Sequence, residues 1–286
     1  YEIRRIPEYL SMAFRQATMG RPGPVFLELP PDILFAEADE ETVAMPKQRR
    51  QHKTLLCPAN EELKEAAAII NSAQKPICLI GSGAGFSDCK ATLENFIEKS
   101  GMPFALLNNG RGVLPDSHAQ NLNESGMTGV MTGLPQADVI LAMGIRINWT
   151  LQQGALFPNA RIIRIDIDPH EIDRNRVADV GLIGDCGQVL SELTPIIEAR
   201  DHSEWLNKLK TAASAFMTTE LEKREKPSSP IHPIRLVAQI QAFFGEDAYY
   251  VVDGGDTTYF GLAGFCSKNP AGVLTPVAAL LGCLGT

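Results

Sequence analysis

Between residues 59 and 200, five short and almost wholly apolar runs alternate with stretches of helical periodicity, and no other feature constrains the fold as much. The runs are residues 77–80, 103–107, 139–143, 161–167 and 180–183. A strand that is apolar on both faces has to be covered on both faces. A parallel sheet with crossover helices does this, whereas a half-solvated antiparallel sheet leaves every second residue polar. Helices predicted at 61–72, with Asn60 as the cap, and at 90–99 and 189–199 supply the cover. The expected fold class is α/β, with the middle domain at 59–200 a doubly wound, mostly parallel sheet.

The flanks read differently. Ile6, Tyr9, Leu10, Ala13, Phe14 and Ala17 recur at helical spacing. Gly20-Arg21-Pro22-Gly23-Pro24 then makes a turn into the apolar residues 25–29, a short buried strand stopped by Pro30-Pro31. One helix and one strand are too few for a core. With no initiator methionine, the chain reads as an internal piece of something longer, and residues 1–35 as the end of a domain. Residues 36–58 are polar, acidic then basic, and aperiodic, so they read as a linker. A second linker spans 201–230, helical near 205–225 and closed by Pro227-Ser228-Ser229-Pro230. From 231 to 286 a new partial α/β unit begins: a helix with Ile234, Val237, Ile240 and Phe244 on one face, then a strand at 249–252.

With 286 residues, 44% of them hydrophobic, the chain holds one complete domain and parts of others. A formal net charge of -8 argues against nucleic acid as the main partner. The basic cluster Lys47, Arg49, Arg50, His52 and Lys53 reads as a solvated linker face. Six cysteines, at 57, 78, 89, 186, 266 and 283, show neither a Cys-x-x-Cys pair nor metal-ligand spacing, so no metal site is expected from them. They read as thiols of a reducing compartment, which places the protein in the cytoplasm. No apolar stretch approaches the roughly 18 residues that a membrane span needs.

Polar residues collect where a doubly wound sheet places a ligand, at the carboxyl ends of its strands. Gly81-Ser82-Gly83-Ala84-Gly85 follows the first strand and Gly110-Arg111-Gly112 lies beyond the second. Gly144-Ile145-Arg146 ends the next, and Asp166-Ile167-Asp168 another. Glycine lets a phosphate or a ring approach the backbone, arginine pairs with a diphosphate, and Asp166 or Asp168 can accept from a ribose hydroxyl. The pattern suits a nucleotide. In the last unit the strand runs into Asp253-Gly254-Gly255-Asp256-Thr257-Thr258, a glycine turn that opens a helix and can cradle a diphosphate. Asp256 would repel that anion and reads as a cap or substrate-side group unless a cation intervenes.

Taken with these motifs, Gly20 to Leu34 resembles the end of the pyrimidine-binding domain of thiamine diphosphate-dependent enzymes, specifically the acetolactate synthase-like group. Asn108-Asn109-Gly110-Arg111-Gly112-Val113-Leu114-Pro115-Asp116-Ser117-His118, Gly144 to Trp149, and Ile165 to Ile172 look like the Rossmann-like middle domain of the same family. The resemblance implies that Gly81, Gly83, Arg111, Gly144, Arg146, Asp166 and Asp185 lie on or near a nucleotide. In acetolactate synthases that nucleotide is FAD, in oxalyl-CoA decarboxylases it is ADP, and in some relatives there is none. After Arg146 this chain has Ile-Asn-Trp-Thr where typical acetolactate synthases carry a Phe-Asp-Asp-Arg-like run. That departure brings it closer to the oxalyl-CoA decarboxylase and 2-hydroxyacyl-CoA lyase pattern. Asn148 and Trp149 read equally well as residues that pack a loop.

Gly282-Cys283-Leu284-Gly285-Thr286 looks like the family's cofactor turn. By resemblance Gly282 supplies a backbone acceptor to the aminopyrimidine, Leu284 is the apolar wedge under the bent cofactor, and Gly255, Asp256, Thr257 and Thr258 sit at the thiamine diphosphate. The implied activity is decarboxylation and carboligation of 2-oxo acids with thiamine diphosphate and Mg2+. The alternatives are oxalyl-CoA decarboxylase, 2-hydroxyacyl-CoA lyase or benzaldehyde lyase-like cleavage of a C–C bond and, from another class, a non-catalytic nucleotide-binding module. A nicotinamide-dependent dehydrogenase is disfavoured, because no Gly-x-Gly-x-x-Gly opens a helix. The expected substrate is a 2-oxo acid or an acyl-CoA, and the intact protein is expected to be a homodimer or homotetramer. The family's glutamate would lie upstream of Tyr1 and its magnesium-binding Gly-Asp-Gly to Asn motif downstream of Thr286, so this chain alone is expected to be inactive.

Overall fold

The computed structural model describes residues 2–46, 56–107, 110–123, 128–269 and 272–274. They divide into two units, residues 1–55 and residues 56–286.

In the first unit the apolar spacing forms α1 (Ile6–Thr18), with Pro7 in the first turn where its missing N–H costs nothing. No residue of this helix is buried, and Phe14 is 68% exposed. The strand expected at 25–29 does not form: the segment carries no ladder and Phe26 is exposed. A strand exists only through a partner, and the described residues of this unit contain no second strand. Pro31 then opens α2 (Pro31–Leu34). The basic cluster at 47–53 lies outside the described residues.

The second unit opens with α3 (Asn60–Ser72). Its cap is Ala59, one residue before the expected Asn60, and the Glu62 carboxylate accepts from the Ala59 N–H at 3.1 Å. Then come β1 (Pro76–Ile80), α4 (Ser82–Ser87), α5 (Lys90–Ser100) and β2 (Phe104–Leu106). They are followed by α6 (Thr128–Gly133), β3 (Val139–Met143), β4 (Arg161–Asp166), β5 (Val180–Ile183) and α7 (Cys186–Ile196). The five strands form one parallel sheet in the order β2-β1-β3-β4-β5. Residues alternate between two cores, which explains the apolar runs of β1, β2 and β3, while β4 carries Arg161, Arg164 and Asp166 among its apolar residues. Cys78, Ile80, Leu141 and Met143 join Leu63, Phe96 and Leu190 beneath α3, α5 and α7. Ile77, Leu79, Ile140 and Ala142 join Leu134, Phe157, Trp205 and Leu209 on the opposite face.

Trp205 and Leu209 belong to α8 (Ser203–Glu225), within the segment read as a linker. The Trp205 indole donates to the Pro76 carbonyl at 3.2 Å, at the head of β1. α9 (Pro233–Phe244), β6 (Tyr250–Val251), α10 (Asp256–Gly264) and β7 (Val273–Leu274) complete the chain. β6 and β7 pair in parallel, and Val237, Tyr250, Val252, Phe265 and Val273 make a small third core. Among the described residues no helix is long and apolar enough to cross a membrane.

Candidate cofactor sites at the strand ends and at the Gly254–Asp256 turn

From β1 the chain moves to β2 on one side and later returns to β3 on the other, so the sheet changes direction between β1 and β3. Open α/β sheets bind ligands at such a point. Gly81 follows β1 and Gly144 follows β3, and the structure brings them into direct backbone contact. A Cβ on Gly81 would stand 2.4 Å from the Gly144 carbonyl oxygen. One on Gly83 would stand 2.6 Å from Gly144 Cα, and one on Gly110 2.6 Å from the Ile80 oxygen. Gly144 also has φ +54°, which favours glycine. Their amides are already engaged: Gly81 donates to Met143 at 2.9 Å, Gly83 to Gly144 at 3.0 Å and Gly144 to Ile165 at 2.8 Å. These glycines therefore build a floor of interlocked backbone and offer no N–H groups to an anion.

The carboxylates are also placed by the fold. Asp166 is the buried last residue of β4 and accepts from the Asp168 N–H at 2.9 Å. Burial raises its carboxyl above the ordinary aspartate range, against the pull of that N–H. Asp168 caps the turn Pro169–Glu171, accepting from the His170 N–H at 3.0 Å. Asp185 caps α7: it accepts from the amides of Gly187 and Gln188 at 3.1 and 3.2 Å and from the Ser87 hydroxyl at 2.7 Å. Asn148 accepts from the Thr150 amide and hydroxyl at 3.0 and 2.7 Å, bracing the turn that holds the half-exposed Trp149.

Arg146 has a side chain 54% exposed, with its Nε 3.7 Å from Glu171. Glu171 escaped the sequence reading. It is buried, and it meets Arg174 at 3.0 Å and the buried Arg164 at 3.7 Å as well. Arg146 and Arg164 lie too far from Glu171 in the chain to give a local signal. Arg111 is placed elsewhere again: its buried guanidinium bonds Asp116 at 2.6 Å and the carbonyls of Leu262 and Phe265 at 2.7 Å each.

At the second candidate site β6 runs into Gly254-Gly255, and Gly255 (φ +68°) caps the nine-residue α10. Asp256 is the first helical residue and Thr257 is exposed beside it. Buried Thr258 donates its hydroxyl to the Asp253 carbonyl and so braces the turn. The helix start suits an anion. Gly282 and Leu284 lie outside the described residues.

Two further features carry no chemistry. Glu94, Glu98 and His118 bring ligand-type atoms within 4.8 Å of one another. His118 Nδ1, however, already accepts from the Gln120 N–H at 3.2 Å, which leaves the hydrogen of the neutral ring on Nε2 rather than a lone pair for a metal. A cavity of about 510 Å3 is lined by Asn175, Arg176, Val177, Ala178 and Asp179, the segment that leads into β5.

Residues 63–193 match the family described as thiamine pyrophosphate enzyme, central domain. An acetolactate synthase of Mycobacterium bovis is 30% identical over 263 residues, which cover 87% of this chain and 42% of its own length. The acetolactate synthase isozyme 1 large subunit of Escherichia coli K12 is 32% identical over 210 residues, 71% of this chain and 36% of its own. A probable acetolactate synthase large subunit of Methanocaldococcus jannaschii is 31% identical over 258 residues, 84% and 42%. The chain thus spans less than half the length of these relatives.

Proposed function

Since the chain belongs to the thiamine pyrophosphate enzyme family, with residues 63–193 as that family's central domain, we propose that the protein performs acetolactate synthase-like decarboxylation and carboligation of 2-oxo acids. The observation that carries this reading is the extent of the likeness. It covers 87% of the chain and so extends beyond residues 63–193 into the flanking segments, which we read as parts of the cofactor domains.

The turn before α10 fits a diphosphate: glycine at positive φ, the start of a helix, and a threonine that braces the loop. Gly255, Thr257 and Thr258 would hold the thiamine diphosphate there, with Mg2+ relieving the repulsion from Asp256. Gly282 and Leu284 would hold and bend its aminopyrimidine end. When bound, the cofactor supplies both the nucleophilic carbon and the electron sink. This chain's own part is to orient the diphosphate end. At the sheet edge Arg146 and Asp166 are the groups that would meet FAD or ADP, with Gly81, Gly83 and Gly144 as the floor and Asp185 as the brace of α7.

The Ile147-Asn148-Trp149-Thr150 loop favours a second reading, an acyl-CoA decarboxylase or lyase with ADP in the middle domain. Turnover by the protein with both cofactor domains complete, given thiamine diphosphate and Mg2+, separates the readings. Acetolactate formed from pyruvate supports the first, and cleavage confined to acyl-CoA substrates supports the second. Nucleotide binding without any turnover would leave a non-catalytic module. The 286-residue chain alone is expected to give no turnover, and magnesium-dependent pyruvate decarboxylation by it would refute that. A homodimer or homotetramer in the cytoplasm goes with the same proposal.

A further inference from the structure

The surroundings of Arg111 serve neither candidate ligand. One amino group of its guanidinium bonds both Asp116 Oδ2 and the Phe265 carbonyl, and the other bonds the Leu262 carbonyl. Asp116 in turn accepts from the Ser267 N–H at 2.9 Å, and the Asn121 amide donates to the Asp116 carbonyl at 2.9 Å. From the other side Arg224 donates to the Ala263 carbonyl at 2.9 Å, and the Gln241 side chain accepts from the Cys266 N–H at 3.0 Å. Leu262, Ala263 and Phe265 lie at the carboxyl end of α10, where carbonyls run out of helical partners and the helix dipole is negative. Two guanidiniums at that end match both its charge and its need for donors.

We propose that Arg111 and Asp116 are a positioning pair: they lock the carboxyl end of α10 to the loop after β2, and through the helix they set where the Gly254–Gly255–Asp256 turn stands. Gly110, next to Arg111, is itself fixed, packed against the Ile80 oxygen and Gly81. A continuous path therefore runs from the Gly144–Gly81 crossing through packed backbone to Gly110, and then through the Arg111 side chain to the far end of α10. The locking of α10 follows from this geometry alone. That the turn it positions carries a diphosphate rests on the reading above.

Backbone amide hydrogen exchange of the 286-residue chain, followed by mass spectrometry, tests the pair with Arg111→Lys and Asp116→Asn. A lysine cannot reach three acceptors, and the asparagine leaves a buried guanidinium without its carboxylate. Both variants should exchange residues 253–267 about ten to a hundred times faster than the parent, with β1, β3 and β4 as protected as before. Unchanged exchange at 253–267, or an equal rise across the sheet, would overturn the proposal. If Arg111→Lys does not fold, Asp116→Asn decides alone by the same pattern. Protection of 254–258 by magnesium pyrophosphate is a separate measurement. Its failure with the variant effect intact would count against the diphosphate reading and leave the positioning pair standing.

Discussion

Gly83 and Gly85 stand two residues apart in α4, and alanine at each should have opposite effects on the ligand-free protein. In a helix interior alanine is favoured over glycine by about 1 kcal/mol. At Gly85 the new methyl would lie 3.5 Å from Val113 Cγ2, an ordinary contact, so Gly85→Ala should be neutral or stabilising by up to about 1 kcal/mol. At Gly83 it would lie 2.6 Å from Gly144 Cα, 3.1 Å from its oxygen and 3.2 Å from its carbonyl carbon. Carbon atoms rest at about 3.5–4.0 Å, so the two backbones must part by about 1 Å. Overpacking costs about 1–3 kcal/mol where side chains can yield, and here no side chain can. Parting also breaks the Gly83 N–H to Gly144 hydrogen bond, worth about 1 kcal/mol. Net of helix propensity, Gly83→Ala should cost about 2–3 kcal/mol. The two variants should then differ by about 3 kcal/mol, or about 6–12 °C in Tm for a unit of this size. Urea unfolding followed by circular dichroism, with no nucleotide added, measures the gap. A gap below about 1 kcal/mol would refute the claim that Gly83 is glycine because of Gly144.

Trp205→Ala should cost about 3–5 kcal/mol in the same assay, since its indole fills the core under β1; a passive linker would lose less than about 1. Asp185→Ala should cost about 1–2 kcal/mol through the lost cap of α7, and Asp185→Asn much less, as read by Tm. Burial holds His118 and His202 below the ordinary histidine pKa, with Glu94 and Glu98 opposing at the first and Arg200 adding to the effect at the second. Between the lowered folded values and the ordinary value of about 6.5 the unfolded chain binds more protons. The urea midpoint should therefore hold above that value and fall as pH drops through the window below it, and His118→Asn with His202→Asn should flatten the fall.

The sheet was legible because its strands are buried on both faces: β3 and β5 occupy the runs read from the sequence, and β1, β2 and β4 differ only at their ends. Residues 25–29 have the same apolar character and form no strand, since apolarity marks a surface to be covered and does not supply the partner. α8 has a weak amphipathic pattern, so the segment read as a linker, yet Trp205 and Leu209 anchor it in the core. α7 begins three residues before the expected 189, at a capping aspartate whose signal was available in Asp185. The arginines show the limit most plainly. Arg111 and Arg146 follow strands in similar glycine contexts, yet one is buried against α10 and the other is half open to solvent. That difference arises from Leu262 and Phe265, some 150 residues further along the chain than Arg111.

If the middle domain takes a nucleotide as proposed, its recognition at the sheet edge would work differently from a glycine-rich phosphate loop. The amides of Gly81, Gly83 and Gly144 are engaged in the fold, and Arg111 is turned to α10. Of the groups assigned there from the sequence, Arg146 alone carries a positive charge that reaches solvent, and Asp166 is a buried acceptor at the end of β4. Binding and stability should consequently separate by residue. Arg146→Gln should weaken FAD or ADP, whichever binds, by about ten- to a hundredfold in calorimetric titration, because a charge-assisted contact is lost. The same substitution should leave the urea midpoint within error of the parent, since its long contact to Glu171 is solvent-exposed on the arginine side. Gly83→Ala should do the reverse, lowering the midpoint before it alters affinity. If Gly83→Ala abolished binding at full stability while Arg146→Gln bound normally, the glycines would be ligand contacts and the interlocked backbone would not explain them.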